Sequence, residues 1–159
     1  HTRLRTVTGV QTCALPICHY TDWTVGHVHS GALGWVGLIS MGALYHLIPR
    51  MFGRTQMYSM KAIELHFWIA TLGIVLYIAA MWIAGVMQGL MWRAVGADGT
   101  LTYTFVESVK ATYPFYVIRV AGGLLYLGGM LIMAWNVVMT VRAGQAAAIP
   151  VPAVAAAHA

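Results

Sequence analysis

Charge is nearly missing from this chain. Only 8% of its 159 residues are Asp, Glu, Lys or Arg, and just four of these are acidic, whereas an ordinary soluble domain is about a quarter charged. With 60% hydrophobic residues and a mean hydropathy of +0.73, that scarcity excludes a water-soluble globular domain. Cysteine is equally sparse. The only two, Cys13 and Cys18, lie close together near the start, with no further Cys and no nearby His set at zinc-like spacing, and they decide nothing about redox compartment. The net charge of +5 in so apolar a chain points to basic loops at a membrane face. No nucleic-acid partner is expected.

What is present is span-length apolar text. Crossing the hydrocarbon takes about 20 mostly apolar residues per helix, and three blocks qualify. The first runs from about Thr24 to Ile48, where Pro49 and the basic RMFGR motif mark a membrane exit. The second covers about residues 62–92 and ends at Arg93. Asp98-Gly99 supplies turn chemistry beyond it, residues 104–112 read as a short amphipathic interfacial helix, and the third block begins near Pro114, which suits a first helical turn, and ends at about Val141. Residues 143–159 form an Ala and Pro tail that reads as disordered. At the other end, Val7 to Ile17 resembles the translation of a common sequencing-library adapter, so residues 1–18 are expected to be non-native. The loop after the first block carries Arg50, Arg54 and Lys61, while the loop after the second balances Arg93 and Lys110 against Asp98 and Glu107. Positive residues stay inside, so the C-terminus is expected in the cytoplasm. The fold class expected is an all-α membrane protein of three transmembrane helices plus a short interfacial helix.

Chemistry concentrates in the first block, where GHVHSGALGW sets His27 and His29 two residues apart in an apolar helix. At 3.6 residues per turn that offset is about 200°, so the imidazoles point to nearly opposite faces and one helix can serve two separate irons. Haem suits such a site, because its iron takes an axial imidazole and its flat ring needs small residues beside it. Ser30, Gly31, Ala32 and Gly34 provide them. The same small residues would also serve cofactor-free helix packing, and the paired histidines are what favour haem.

The text HYTDWTVGHVHSGALGW, LYHLIPRMFGR, ELHFWIATLGIVLYIAAMWIAGVMQGLMWR and YPFYVIRVAGGLLYLGGMLIMAWNVVMT resembles the last three helices of subunit I of cbb3-type cytochrome c oxidases, within the haem-copper oxidase superfamily, over about residues 19–142. That resemblance implies that His27 ligates the iron of high-spin haem b3 and His29 that of low-spin haem b. It implies that His19 lies at a haem propionate, and that copper B has its ligands on earlier helices, so the fragment is not active alone. It further implies subunits bearing c-type cytochrome, a surround of membrane lipid, oxygen as substrate, proton translocation, and residence in a bacterial inner membrane. Two rivals stand beside it: the nitric oxide reductase large subunit, whose discriminating carboxylates would lie upstream, and a non-catalytic helix bundle.

The remaining polar residues read more plainly. His46 and His66 suit core or interfacial histidines rather than ligands, and Glu64 suits an interfacial carboxylate paired with Lys61. Arg93 and Arg119 read as membrane-end anchors. Gly122, Gly123, Gly128 and Gly129 read as helix-contact positions.

Overall fold

A computed structural model describes residues 19–143 of the chain. It contains three helices: α1 (Asp22–Met51), α2 (Met60–Arg93) and α3 (Phe105–Arg142), each long and apolar enough to cross a membrane. Among the described residues there is no strand, only an isolated bridge between Val95 and Leu101 in the α2–α3 loop. The calls on residues 1–18 and on the tail beyond residue 143 lie outside the described residues.

Two of the three helices, α1 and α3, run past the boundaries that proline suggests. Pro49 does not stop α1. It sits two residues from the helix end, where its missing N–H removes a single intrahelical bond and little is lost. The stop comes at Gly53, whose φ of 68° only glycine adopts freely. The Arg54 N–H donates to the Pro49 carbonyl at 2.7 Å and the Gly53 N–H to the Arg50 carbonyl at 3.2 Å, the paired bonds of a Schellman cap. The interfacial segment at 104–112 is helical as expected, but it continues straight into the third span. Pro114 is therefore an interior residue of α3 and not its first turn. The start is fixed ten residues earlier by a reciprocal capping box, in which the Glu107 N–H donates to Thr104 Oγ1 at 3.3 Å and the Thr104 N–H to Glu107 Oε2 at 2.7 Å. A strong N-cap sets the register, and one proline in a 38-residue helix cannot undo it.

α2 is the central element, packing along α3 and receiving the first turns of α1. Its buried residues, Ala62, His66, Ala70, Gly73, Ile74, Met81, Ala84, Gly85 and Gln88 among them, recur every three or four positions, so the stripe winds down one face. The α2–α3 crossing is closest where Gly73 meets Gly122: a Cβ on either would come within 2.7 Å of the other's carbonyl oxygen. Gly129 packs against Ala70 and His66 in the same seam. Gly123 and Gly128 face open space, so only half of the third-span glycines make the contact expected of them. A helix face admits one residue in three or four, and adjacent glycines cannot share it.

The cytoplasm-facing loop expected after α1 is clamped by α3. Asn136, fully buried, accepts from the Ser59 N–H through Oδ1 and donates to the Ser59 carbonyl through Nδ2, both at 2.9 Å. Thr140 Oγ1 accepts from the Tyr58 N–H at 2.9 Å. Ser59 is also the N-cap of α2, its Oγ accepting from the Ala62 N–H. Replacing Asn136 with Leu strands both Ser59 backbone groups, each worth about 1 to 3 kcal/mol when orphaned. Thermal unfolding in detergent is expected to show a destabilisation of about 2 kcal/mol or more.

On the opposite loop, Asp98 accepts from Thr100 Oγ1 at 2.8 Å and from the Thr100 N–H at 3.1 Å. The Thr100 hydroxyl, and then its N–H, hold the Asp98 carboxyl below the usual carboxylate range. A depressed folded-state value means that the turn's contribution is complete above the ordinary carboxylate pKa and is lost as pH falls through the lowered one. Protection of the Thr100 amide, its exchange rate measured against the intrinsic rate at the same pH, is expected to fall only on that acid side, and Asp98→Asn to abolish this pH dependence of protection.

Candidate haem-ligand site

The first half of α1 carries the candidate ligands, and its geometry departs from a plain α-helix. Asp22–His29 is α-helical, Ser30–Gly37 widens into a π-helix, and Leu38–Met51 returns to α. Such widenings are rare and concentrate at functional sites. Widening redirects backbone carbonyls, and here Tyr126 of α3 donates its hydroxyl to the Leu33 carbonyl at 3.2 Å. Gly37 makes room for that hydroxyl, since a Cβ there would lie 2.9 Å from it.

His29 is half-buried and turns toward α2, its ring 5.3 Å from that of Tyr77. Its Nδ1 lies 2.8 Å from the Val25 carbonyl. A carbonyl only accepts, so Nδ1 carries the proton and the lone pair of the neutral ring is on Nε2. That is the arrangement of a metal-binding imidazole, oriented by a backbone carbonyl behind it. His27 leaves the helix elsewhere: it is exposed and lies flat against Trp23, with centroids 5.5 Å apart and planes 6° from parallel. The two imidazoles thus have different surroundings, His29 against α2 and His27 along its own helix. Beside the histidines, a Cβ on Gly31 or Gly34 would meet nothing within 4 Å. Among the described residues these two glycines pack against no helix, which leaves open space beside the histidines. No cluster of three or more His, Cys, Asp or Glu gathers among the described residues. The donor set is one imidazole per side, which fits axial ligation of haem and no all-protein metal cage.

The seat of this helix is built by α2. Gly85 admits the backbone of Trp23: a Cβ there would overlap the Trp23 nitrogen and come within 2.6 Å of its Cα. Gly26 meets Trp82 and Met81 in the same way. Gln88 then brackets the first residue of α1, accepting from the Asp22 N–H at 2.9 Å and donating to Asp22 Oδ2 at 3.3 Å. Gln88, Trp23, Tyr77 and Tyr126 were not singled out from sequence. Gln88 had a signal, being a polar amide inside an apolar span, which needs a partner there.

His19 is exposed just before α1 and rests against Tyr20, ring centroids 3.9 Å apart. His46 is exposed and takes a hydrogen bond from Arg50. His66 is a core residue, 2% exposed, with Nδ1 hydrogen-bonded to the Tyr45 hydroxyl at 2.8 Å and Nε2 without a hydrogen-bond partner among the described residues. Lys61 and Glu64 line the groove beside His66, of about 620 Å³, and the ion pair expected between them is not formed among the described residues. Three residues apart on α2, they open onto the groove separately. Arg119, read from sequence as an anchor, is half-buried and engaged across the bundle. Its Nε–H donates to the Tyr77 hydroxyl at 3.2 Å, and Tyr77 is at the middle of α2.

Comparison with known proteins agrees with this architecture. A family model described as Cytochrome C and Quinol oxidase polypeptide I matches residues 7–125. The chain is 60% identical over 131 residues to the Cbb3-type cytochrome c oxidase subunit CcoN1 of Stutzerimonas stutzeri, covering 82% of this chain and 28% of that protein. It is 62% identical over 130 residues to the bacteroid cytochrome c oxidase subunit 1 homolog of Bradyrhizobium diazoefficiens, covering 82% and 24%. It is 55% identical over 139 residues to cytochrome c oxidase subunit 1 of Rhodobacter capsulatus, covering 84% and 26%. The chain spans about a quarter of the length of the curated relatives it matches. Three apolar helices of membrane-spanning length, a divergent histidine pair and these matches lead to one conclusion: the chain belongs to the cytochrome c and quinol oxidase polypeptide I family, the large subunit of haem-copper oxidases.

Proposed function

We propose that this chain is the ligand-bearing C-terminal part of a cbb3-type terminal oxidase, an enzyme that oxidises c-type cytochrome, reduces oxygen to water and translocates protons. The observation that carries the proposal is the imidazole pair on α1: His29 holds its Nδ1 proton on Val25 O, presenting Nε2, while His27 faces another way along Trp23. His29 would hold low-spin haem b and His27 high-spin haem b3. When bound, the haems supply the one-electron relay and, with copper B held by other helices of the subunit, the site of oxygen chemistry. The chain's own part is to orient: Val25 fixes the tautomer of His29, Trp23 fixes the plane of His27, and Gln88 with Gly85 fixes the height of both. His19, just ahead of α1, would hydrogen-bond a propionate of haem b3.

The burial pattern supports the same reading. Only 6% of the most apolar stretch of α1 is buried, against 39% for α2, so α1 presents a flank wide enough for haem and for the rest of the subunit. Arg50, Arg54 and Lys61 together after α1 favour a cytoplasmic placement for that loop, and hence a cytoplasmic C-terminus in the bacterial inner membrane. Partner subunits would carry the c-type haems.

The test is to amplify and resequence the locus across the junction near Cys18, then to assay the encoded full-length complex. Upstream spans with three copper-type histidines and a helix-borne tyrosine, together with oxygen uptake driven by reduced c-type cytochrome, are expected. Glutamates beside the metal histidines, with nitric oxide reduced in place of oxygen, would replace the proposal by a nitric oxide reductase.

A further inference from the structure

One charged side chain in the helix bundle is left unexplained by ligation. An arginine at the centre of a span costs about 2.5 to 3.5 kcal/mol on insertion scales, so a structure retains it for a reason. A membrane-end arginine escapes that penalty by reaching the headgroups. Arg119 is half-buried and turned onto its neighbours: its guanidinium lies 5.3 Å over the Tyr77 ring and 6.0 Å from that of Tyr116, and its Nε–H donates to the Tyr77 hydroxyl. Tyr77 is 17 residues into the 34-residue α2, at the midpoint of that helix. Among the described residues Arg119 has no carboxylate partner, so its charge is not neutralised locally.

The other neighbour of Tyr77 is His29, ring to ring at 5.3 Å. Three helices therefore contribute one residue each to a short series, His29 on α1, Tyr77 on α2 and Arg119 on α3. We infer that Arg119, braced by Tyr77, is the positive charge that raises the reduction potential of the haem iron held by His29. The inference rests on His29 being that iron's ligand. Its physical basis is electrostatic. Oxidation adds a positive charge at the iron, and an uncompensated cation nearby opposes it. A unit charge roughly 10 to 15 Å away, in a medium of effective dielectric about 20, biases such an equilibrium by about tenfold. Tyr77 contributes by holding the guanidinium in place, as a hydrogen-bond acceptor and as a ring face.

The experiment is an equilibrium redox titration of the assembled oxidase, followed in the low-spin haem absorbance, with Arg119→Met, Arg119→Lys, Tyr77→Phe and His29→Ala. Arg119→Met is expected to move the ferric-to-ferrous ratio about tenfold toward ferric, a fall in midpoint of about 59 mV. Arg119→Lys, which keeps the charge, is expected to restore most of it, and Tyr77→Phe to give a smaller fall in the same direction. An unchanged midpoint in Arg119→Met overturns the inference, and so does an equal fall in Met and Lys, which would mark a packing effect. Should Arg119→Met fail to assemble, a midpoint in Tyr77→Phe equal to that of the parent overturns it. His29→Ala separates the two levels: a low-spin haem retained there removes the ligand assignment and this inference with it, whereas its loss, alongside an unmoved Arg119→Met, removes the charge effect alone.

Discussion

Replacing His27 and His29 one at a time is expected to remove one b-type haem each from the full-length complex, and a different one each time. His29→Gly should abolish the low-spin optical signature and leave the high-spin centre. His27→Gly should do the reverse. The expected loss is near complete for the haem concerned, because an axial imidazole is the protein's bond to the iron and no other described histidine lies within this constellation to replace it. His66 is buried in the α2–α3 seam with one nitrogen on Tyr45, and His46 is engaged by Arg50. Added imidazole should restore part of each signature in the Gly variants, since the cavity left has the shape of the missing ring. Haem extraction and low-temperature absorbance of the single and double variants decide the matter. A double variant with both signatures intact would return the chain to a cofactor-free bundle.

Gly85→Val should do comparable damage without touching a ligand. The Trp23 backbone occupies the position that a side chain at residue 85 would need, and the obstruction is main chain, which cannot rotate away as a flexible side chain can. Overpacking of a tight contact costs about 1 to 3 kcal/mol, and more where backbone must move; here α1 must lift from α2. Lifting it also draws Asp22 from Gln88 and His29 from the Tyr77 ring. The expected result is a strong loss of assembled complex, with the surviving fraction disturbed at the haem of His29 before that of His27, because His29 faces Tyr77 across the α1–α2 seam whereas His27 stacks on Trp23 of its own helix. Gly34→Ala is the control, since nothing lies within 4 Å of that position: in the fragment it should be neutral, and in the complete subunit it should report on the haem clearance. A Gly85→Val complex with parental yield and spectra would show that the close approach is not required.

The amino-acid sequence by itself determined the membrane character, the number of spans and the divergent histidine pair, because each follows from properties carried along a single helix. Apolar length sets the spans, and helical period sends residues 27 and 29 to opposite sides. The same one-dimensional logic located the loops by their charge and turn residues. It misjudged where helices end. Pro49 and Pro114 looked like boundaries, but Gly53 and the Thr104–Glu107 box, which satisfy end groups directly, decided the ends instead.

Everything that joins one helix to another was decided only by the tertiary structure. That Gln88 holds Asp22, that Tyr126 serves a carbonyl in the π segment and that Asn136 closes on Ser59 are contacts across 66, 93 and 77 positions of chain, and no local pattern encodes which polar residue meets which. Four third-span glycines were indistinguishable in sequence, yet only Gly122 and Gly129 face a neighbour. Arg119 looked like an anchor because residue counting puts it early in a span that begins at Pro114. With α3 starting at Phe105 and crossing α2 at Tyr77, the same residue becomes a half-buried cation held by Tyr77, which also meets the proposed ligand His29. In an apolar medium a hydrogen bond or a charge finds its partner only after the helices have been packed, and the packing is set by where small residues let backbones approach.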